Sequence, residues 1–263
     1  MEFIYSFKIS DEIPETKLFK CSDLDYMESK IVQVIYESFI IPADEDYLTA
    51  RLLAQNGLPR AFYWAASQTI EKYLKAMLLL HGQSVRKSKN HLIKPLFDRA
   101  SEYFPNLKTF ELNIDDNIEI DHEVKKLFEQ ISIDCFLNDI EQFGSADNRY
   151  NSSGIKFNTW YLFLLDKLIS EIRLSLSVPD IFESYKKIHP NLINIFKDNN
   201  PKFSGNDFTH STVPSEKFKV TYSLSVTSLD FISKHTNSNH SYVLKWLYKK
   251  MKLPYELEQK LKN

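Results

Sequence analysis

Residues 46–92, DYLTARLLAQNGLPRAFYWAASQTIEKYLKAMLLLHGQSVRKSKNHL, carry the clearest helical pattern of this 263-residue chain. Residues 47–55 carry leucines at helical spacing, and Asn56-Gly57 after them is typical of a left-handed helix C-cap. Pro59 suits the first turn of a second helix, which we expect to run from about Arg60 to Leu80. The stretch therefore predicts a helical hairpin.

The second helix of this hairpin has a buried face and a polar stripe. Its apolar positions recur at i, i+3 and i+4 spacing, which predicts that they face the core. They are Phe62, Ala65, Ala66, Thr69, Tyr73, Met77 and Leu80. The polar stripe comprises Gln68, Glu71, Lys72 and Lys75, in which Glu71 and Lys75 form an i, i+4 pair in the favourable order. Trp64 is expected in the core or at an interface.

The composition excludes two common nucleotide-binding folds. The chain has only 5 glycines, and none are spaced as G-x-G-x-x-G or G-x-x-x-x-G-K, so it carries neither a Rossmann fingerprint nor a P-loop. The net charge is −2, so any binding of nucleic acid must use a local basic patch. Cys21 and Cys135 show no metal-ligand spacing, and we expect neither a metal nor a cofactor. Two isolated thiols, early acidic residues and the lack of a long apolar stretch predict a cytoplasmic protein.

The flanking sequence also favours helices. Pro42 followed by the acidic run 44–46 predicts the start of a bundle helix. Because of Pro95, the third expected helix, at about residues 91–104, either starts near Ile93 or is bent at the proline. Residues 2–9 alternate like a strand, and residues 217–226 fit both a strand and a helix. The other expected helices are 23–39, 91–104, 121–142, 157–177, 180–198 and 240–252.

We therefore predict a mainly α protein, with a short strand or two at most. An up-and-down helical bundle is expected at residues 42–177. Residues 1–41 would form an N-terminal extension and residues 178–263 a mostly helical C-terminal extension.

The 46–92 stretch resembles the HEPN family, helical domains of higher eukaryotes and prokaryotes named for nucleotide binding. The resemblance is dense over these residues and extends to about residue 177. It is carried by Asp46-Tyr47, Ala50-Arg51, Asn56-Gly57-Leu58, Gln68-x-x-Glu71-Lys72-Tyr73-Leu74-Lys75-Ala76, Leu78 to Gly82 and His91-Leu92.

This resemblance implies a helical bundle, often a homodimer, that binds nucleotide or RNA. Some members are metal-independent endoribonucleases of toxin or defence systems, and some have a nucleotidyltransferase-type antitoxin as partner. Other members are catalytically inert dimerisation or partner-binding modules, which is the alternative for this chain.

The family's nucleases carry an Arg-x4-6-His motif, and Arg86 and His91 have this spacing, so the resemblance implies that they are catalytic. Cleavage of RNA without a metal needs a base, an acid and a cation on the phosphorane, which histidine and arginine supply. In those nucleases the motif lies at the start of the last bundle helix. There this chain has Arg149-Tyr150, and no histidine follows in the loop to Gly154.

Residues 86–94 contain five potential cations and no acid, and a helix starting there would add its dipole, so we expect phosphate to bind. The cations are Arg86, Lys87, Lys89, His91 and Lys94. The full set of predicted nucleotide- or RNA-binding residues is Glu71, Lys72, Lys75, Lys87, Lys89, Arg149 and Tyr150. A solvated loop is the structural alternative for the basic segment.

Overall fold

The computed structural model describes residues 24–86, 92–112, 126, 130–145, 148, 160–178, 194–195, 200, 228–235, 237–251, 253 and 255–262. The helices are α1 (Leu24–Ile35), a π-helical turn (Tyr36–Ile40), α2 (Ile41–Gln55), α3 (Pro59–Leu80), α4 (Ile93–Ser101), α5 (Pro105–Lys108), α6 (Ile133–Phe143), α7 (Trp160–Leu176), α8 (Ser228–Lys234), α9 (Ser238–Lys250) and α10 (Tyr255–Lys262). All regular structure in these residues is helical, which confirms the predicted mainly α fold. The regions 2–9 and 217–226, where strands were considered, lie outside them.

The α2–α3 hairpin is the centre of the fold. Gly57 and Gly82 adopt φ values of +67° and +68°, which end α2 and α3 in the left-handed region that glycine favours. Every residue of the predicted apolar face of α3 is buried. Because α3 packs against α1, α2, α4, α6 and α7, it is the element around which the others are arranged.

The chain before the hairpin differs from the prediction. We expected a new helix after Pro42, but the backbone is helical without a break from Leu24 to Gln55. The π-helical turn immediately before Pro42 is wider than an α-turn, which gives the proline ring room against the preceding carbonyls. Asp44 is consequently a buried mid-helix residue and not an acid at an exposed helix start.

The prediction of a single helix over residues 121–142 is also wrong at its centre. Residues 130–132 are not helical, and α6 begins at Ile133. The Ser132 side chain accepts a hydrogen bond of 3.2 Å from the Cys135 amide, so Ser132 caps a new helix in place of continuing an earlier one. The start of α4 at Ile93 and the predicted helices that correspond to α1, α7 and α9 are confirmed. Most of residues 180–198 lies outside the described ranges.

A buried ion pair joins α2 to α7. The guanidinium of Arg51 bonds the carboxylate of Asp166, and both side chains are fully buried. Tyr47 donates to the same carboxylate at 2.5 Å. Two residues of the C-terminal part complete the network, since the Ile195 carbonyl accepts from Arg51 at 2.9 Å and Asn200 donates to Tyr47 at 3.0 Å. The pair is therefore fully enclosed by hydrogen-bonding partners.

A second buried ion pair lies nearby, between Asp44 of α2 and Arg173 of α7. Tyr73 of α3 donates to Asp44 and accepts from Arg173 at 2.7 Å, so three helices meet at this pair. Burial raises the pKa of the Asp44 carboxyl to about 6, although Arg173 and Tyr73 oppose the rise.

The C-terminal helices pack on α1 and on the segment after α3. The Tyr26 hydroxyl lies 3.0 Å from Nε2 of His240, which is buried on α9. The Glu37 carboxylate accepts from the amide and hydroxyl of Ser228 at the start of α8. These contacts join the segments that we assigned to the N- and C-terminal extensions, and the boundaries at 41/42 and 177/178 stay a prediction. No helix in the described part of the chain is long and apolar enough to span a bilayer.

Candidate nucleic-acid interface

One side of α3 faces solvent and carries an aromatic residue between cations. Arg60, Trp64, Gln68 and Lys72 follow one another at intervals of four residues, which places them along one face of the helix. Arg60 is exposed, Gln68 and Lys72 are partly exposed, and Trp64 leaves 47% of its surface accessible. Trp64 is therefore not part of the core.

This face opens into a groove of about 850 Å³ between the α2–α3 hairpin and the end of α6. We call it the Trp64 groove. Its lining is mainly apolar, with a few polar groups at its margin, as is common for ligand sites. The lining residues are Asp46, Thr49, Leu53, Gly57, Leu58, Pro59, Arg60, Ala61, Trp64, Ala65, Phe143, Gly144, Ser145 and Asn148.

The far wall of the groove depends on a close approach of α6 to α3. A Cβ atom on Gly144 would lie 2.4 Å from the Tyr63 carbonyl oxygen and 2.8 Å from Cβ of Ser67, so only glycine fits. The rings of Tyr63 and Phe143 pack at 5.1 Å between centroids. The backbone contact and the ring contact together fix the distance across the groove.

The charged groups of the α3 face are largely paired. Lys72 bonds the carboxylate of Asp46, and Lys75 bonds that of Glu71, whose side chain is only 4% exposed. Partial burial raises the pKa of Asp46, and the hydrogen bond from Lys72 opposes this. Arg60 has no carboxylate partner among the described residues. Arg60 is thus the groove cation best placed to meet an anion.

The predicted catalytic Arg86 lies at the other end of α3 and contacts the C-terminal helices. Its guanidinium donates to the Tyr248 carbonyl and lies over the Tyr248 ring, 4.2 Å from the centroid. The Glu258 carboxylate lies 3.9 Å from its Nη2 atom. Arg86 therefore joins the segment after α3 to α9 and α10.

The start of α4 is not the open anion site that the sequence predicted. The Glu141 side chain of α6 accepts from the amides of Ile93 at 2.8 Å and Lys94 at 3.2 Å. Lys94 itself pairs with Asp98 and, at 3.1 Å, with Asp134. Glu141 therefore occupies the helix end, and the local Asp98 and the distant Asp134 both pair with the Lys94 ammonium. The local sequence could not reveal the two distant carboxylates.

Comparison with known proteins identifies the helical core. The family model of the HEPN domain matches residues 36–143, from the π-helical turn to the end of α6. The chain contains a HEPN domain. No curated protein and no solved structure matches the chain. The match confirms the resemblance noted in the sequence and supports a function related to nucleotides or RNA.

Most of the groove lining belongs to the HEPN domain, and Gly144, Ser145 and Asn148 follow it directly. Arg149 and Tyr150, two predicted binding residues, come immediately after Asn148 and lie outside the described residues. Lys87, Lys89 and His91 also lie outside them. The roles of all these residues stay predictions.

The HEPN domain brings some predicted residues together and separates others. Lys72 reaches the groove margin through Asp46, whereas Lys75 pairs with Glu71 one turn further along α3. Arg86 lies beyond the opposite end of α3, and the part of α3 from Trp64 to Leu80 alone spans about 24 Å at 1.5 Å per helical residue. The described residues contain no group of three or more His, Cys, Asp or Glu side chains that could hold a metal ion.

Sequence reasoning missed Arg60 and Trp64 as site residues. The sequence did contain a signal for them. Arg60, Trp64 and Lys72 are spaced by four and eight residues, which places them on one side of α3, away from its predicted buried face. Trp64 was assigned to the core or an interface because tryptophan is apolar. Only the position of α6 shows that a groove lies beside it.

Proposed function

We propose that this HEPN-domain protein binds a nucleotide or single-stranded RNA in the Trp64 groove. The observation that carries the proposal is the half-exposed indole of Trp64, which lies in an open groove with Arg60 one helical turn away. An accessible aromatic face beside a cation is the arrangement on which single-stranded nucleic acids stack.

Each group has a role in this proposal. The indole of Trp64 stacks on a base, and Arg60 donates to the adjacent phosphate, for which its planar fork of N–H groups is suited. The apolar lining around Leu58 and Phe143 encloses the base without hydrogen bonds to its edges. We therefore expect little sequence preference, since every base offers a face for stacking.

The resemblance to nucleases of the family extends the proposal to metal-independent cleavage of RNA, in a toxin or defence role. Arg86 and His91 are its proposed catalytic residues. The contacts of Arg86 with Tyr248 use one N–H group and one face of the guanidinium, which leaves other N–H groups for a phosphate. A homodimer and a nucleotidyltransferase-type partner belong to the same proposal.

Fluorescence polarisation with a labelled oligo(U) RNA tests the binding proposal. The variants are Trp64→Ala, Trp64→Phe, Arg60→Ala and, as control, Leu174→Ala, which truncates an equally apolar side chain that is 70% exposed on α7. Loss of one stacked base costs about 1–3 kcal/mol, so Trp64→Ala should weaken binding roughly 5- to 150-fold. Trp64→Phe should retain most of the affinity, and Leu174→Ala should match the wild type.

Equal affinity of Trp64→Ala and Leu174→Ala would refute the groove as the binding site. Competition by unlabelled mononucleotides distinguishes a nucleotide site from a strand-binding site. Cleavage is tested separately, by incubation of RNA with the wild type and His91→Ala in EDTA. The wild type should cleave and His91→Ala should not, while both bind RNA equally.

A further inference from the structure

A second basic surface lies where the C-terminal helices meet the segment after α3. The Ser84 hydroxyl donates to the carbonyls of Lys249 and Lys250 at 3.3 Å each, and the Val85 amide donates to the Lys250 carbonyl at 2.8 Å. Arg99 of α4 donates to the Ser84 carbonyl at 3.1 Å. Three separate parts of the chain therefore place cations around this short segment. We call this surface the basic face; it comprises Arg86, Arg99, Lys245, Lys249 and Lys250.

Two of the three lysines of α9 face solvent. Trp246 and Leu247 are buried against the fold, whereas Lys245 and Lys249 are exposed and one turn apart on the same side of the helix. No carboxylate among the described residues pairs with either lysine. Because the opposite side of α9 packs against the fold, the positive charges of Lys245 and Lys249 are held at fixed positions on the surface.

Arg99 adds a cation that has no carboxylate partner among the described residues. Arg99 donates to a neutral backbone carbonyl, and so does Arg86, which in addition forms an ion pair with Glu258 at 3.9 Å. A carbonyl orients a guanidinium without cancelling its charge. In a chain with a net charge of −2, these cations form a local positive field that attracts a polyanion.

We propose that the basic face binds the sugar-phosphate backbone of RNA, as a second contact beyond the Trp64 groove. The inference rests on RNA being the ligand of the HEPN domain, and it assigns a function to α9, which lies outside the matched residues 36–143. The lysines meet phosphates as point charges, without reading bases. Because the two surfaces lie at opposite ends of α3, only an oligonucleotide long enough to span them gains affinity from both.

The test compares charge reversals in the full chain with a labelled oligo(U) of about 20 nucleotides, longer than the usual site of a single-strand-binding domain. The variant Lys245→Glu/Lys249→Glu should bind at least 10-fold more weakly at low salt. Loss of two phosphate contacts should make the slope of log K against log salt about 1.4 less steep. The control Lys108→Glu/Lys126→Glu makes the same change in net charge on exposed lysines elsewhere and should lose much less affinity.

Milder substitutions guard against misfolding, because acids near the C-terminus of α9 oppose the helix dipole. Lys245→Gln/Lys249→Gln should show a smaller loss in the same direction, with an unchanged melting temperature. Equal affinity and equal salt slope in the lysine variants and the control would overturn the inference.

The outcomes separate this inference from the proposed function. RNA binding that depends on Trp64 but not on Lys245 and Lys249 would refute the basic face alone. If the wild type binds no RNA, the proposed function fails, and elution from heparin still tests the surface as a polyanion site. The lysine variants should then elute at lower salt than the control, and identical elution would refute the surface too.

Discussion

The guanidinium of Arg86 lies over the ring of Tyr248, 4.2 Å from its centroid, and this contact joins the end of the HEPN hairpin to helix α9. The same arginine is half of the predicted Arg-x4-His motif. Its loss would therefore alter both the docking of α9 and any chemistry at the motif.

We expect Arg86→Ala to lower the free energy of unfolding by about 1–3 kcal/mol, since it removes a cation–π contact and a hydrogen bond to the Tyr248 carbonyl. A double-mutant cycle in urea with Tyr248→Leu isolates the ring contact. The coupling energy should be about 0.5–2 kcal/mol. A coupling near zero would show that the stacked contact does not hold α9.

The buried pair of Arg51 and Asp166 predicts a larger effect. Asp166→Asn leaves the Arg51 guanidinium buried without its counter-charge, so unfolding should become easier by about 3–5 kcal/mol. The exposed Asp98→Asn, which breaks a surface pair with Lys94, should change stability by less than about 1 kcal/mol. Urea denaturation measures both effects. Similar decreases in the free energy of unfolding of the two variants would show that burial of the Arg51–Asp166 pair adds nothing to its effect on stability.

The raised pKa of Asp44 predicts a pH dependence. Between about pH 4 and pH 6 the folded protein holds a proton on Asp44 that the unfolded chain releases, so this carboxyl makes stability fall as pH rises. The difference in unfolding free energy between wild type and Asp44→Asn should therefore change by roughly 2–3 kcal/mol across that window, in favour of the variant at higher pH. A difference that is constant with pH, or that moves the other way, would contradict the assignment.

We predict that Gly144, in the wall of the Trp64 groove, does not tolerate a side chain. Gly144→Ala places a methyl group against the Tyr63 carbonyl and should cost about 1–3 kcal/mol through displacement of α6 from α3. Gly57→Ala is the matched control, since its Cβ meets nothing within 4 Å and only its φ of +67° opposes the change, at a cost of about 1 kcal/mol. Thermal melts should rank Gly144→Ala as the more damaging substitution.

The periodicity of residues 47–80 predicted the hairpin correctly because the packing of a helix repeats every few residues and is visible locally. The sequence could not show that Glu141 occupies the start of α4 or that Asp44 meets Arg173, since those partners are distant in the chain. Glu71, which we predicted to bind ligand, is nearly buried beside Lys75. Its role as a ligand contact is a prediction that binding measurements must test.

Position 64 also shows why the groove was missed. Residue type alone favours burial of tryptophan, and only the end of α6 beside α3 creates a groove at that face of the helix. The resemblance of residues 46–92 predicted the family but not the surface that is open to a ligand.

Photo-crosslinking shows whether RNA stacks on Trp64. A 5-bromouridine oligonucleotide bound to the 263-residue chain is irradiated, and the modified peptide is mapped by mass spectrometry. We expect a principal crosslink within residues 59–65 that disappears in Trp64→Ala. Crosslinks confined to other helices, with none in residues 59–65, would contradict this expectation.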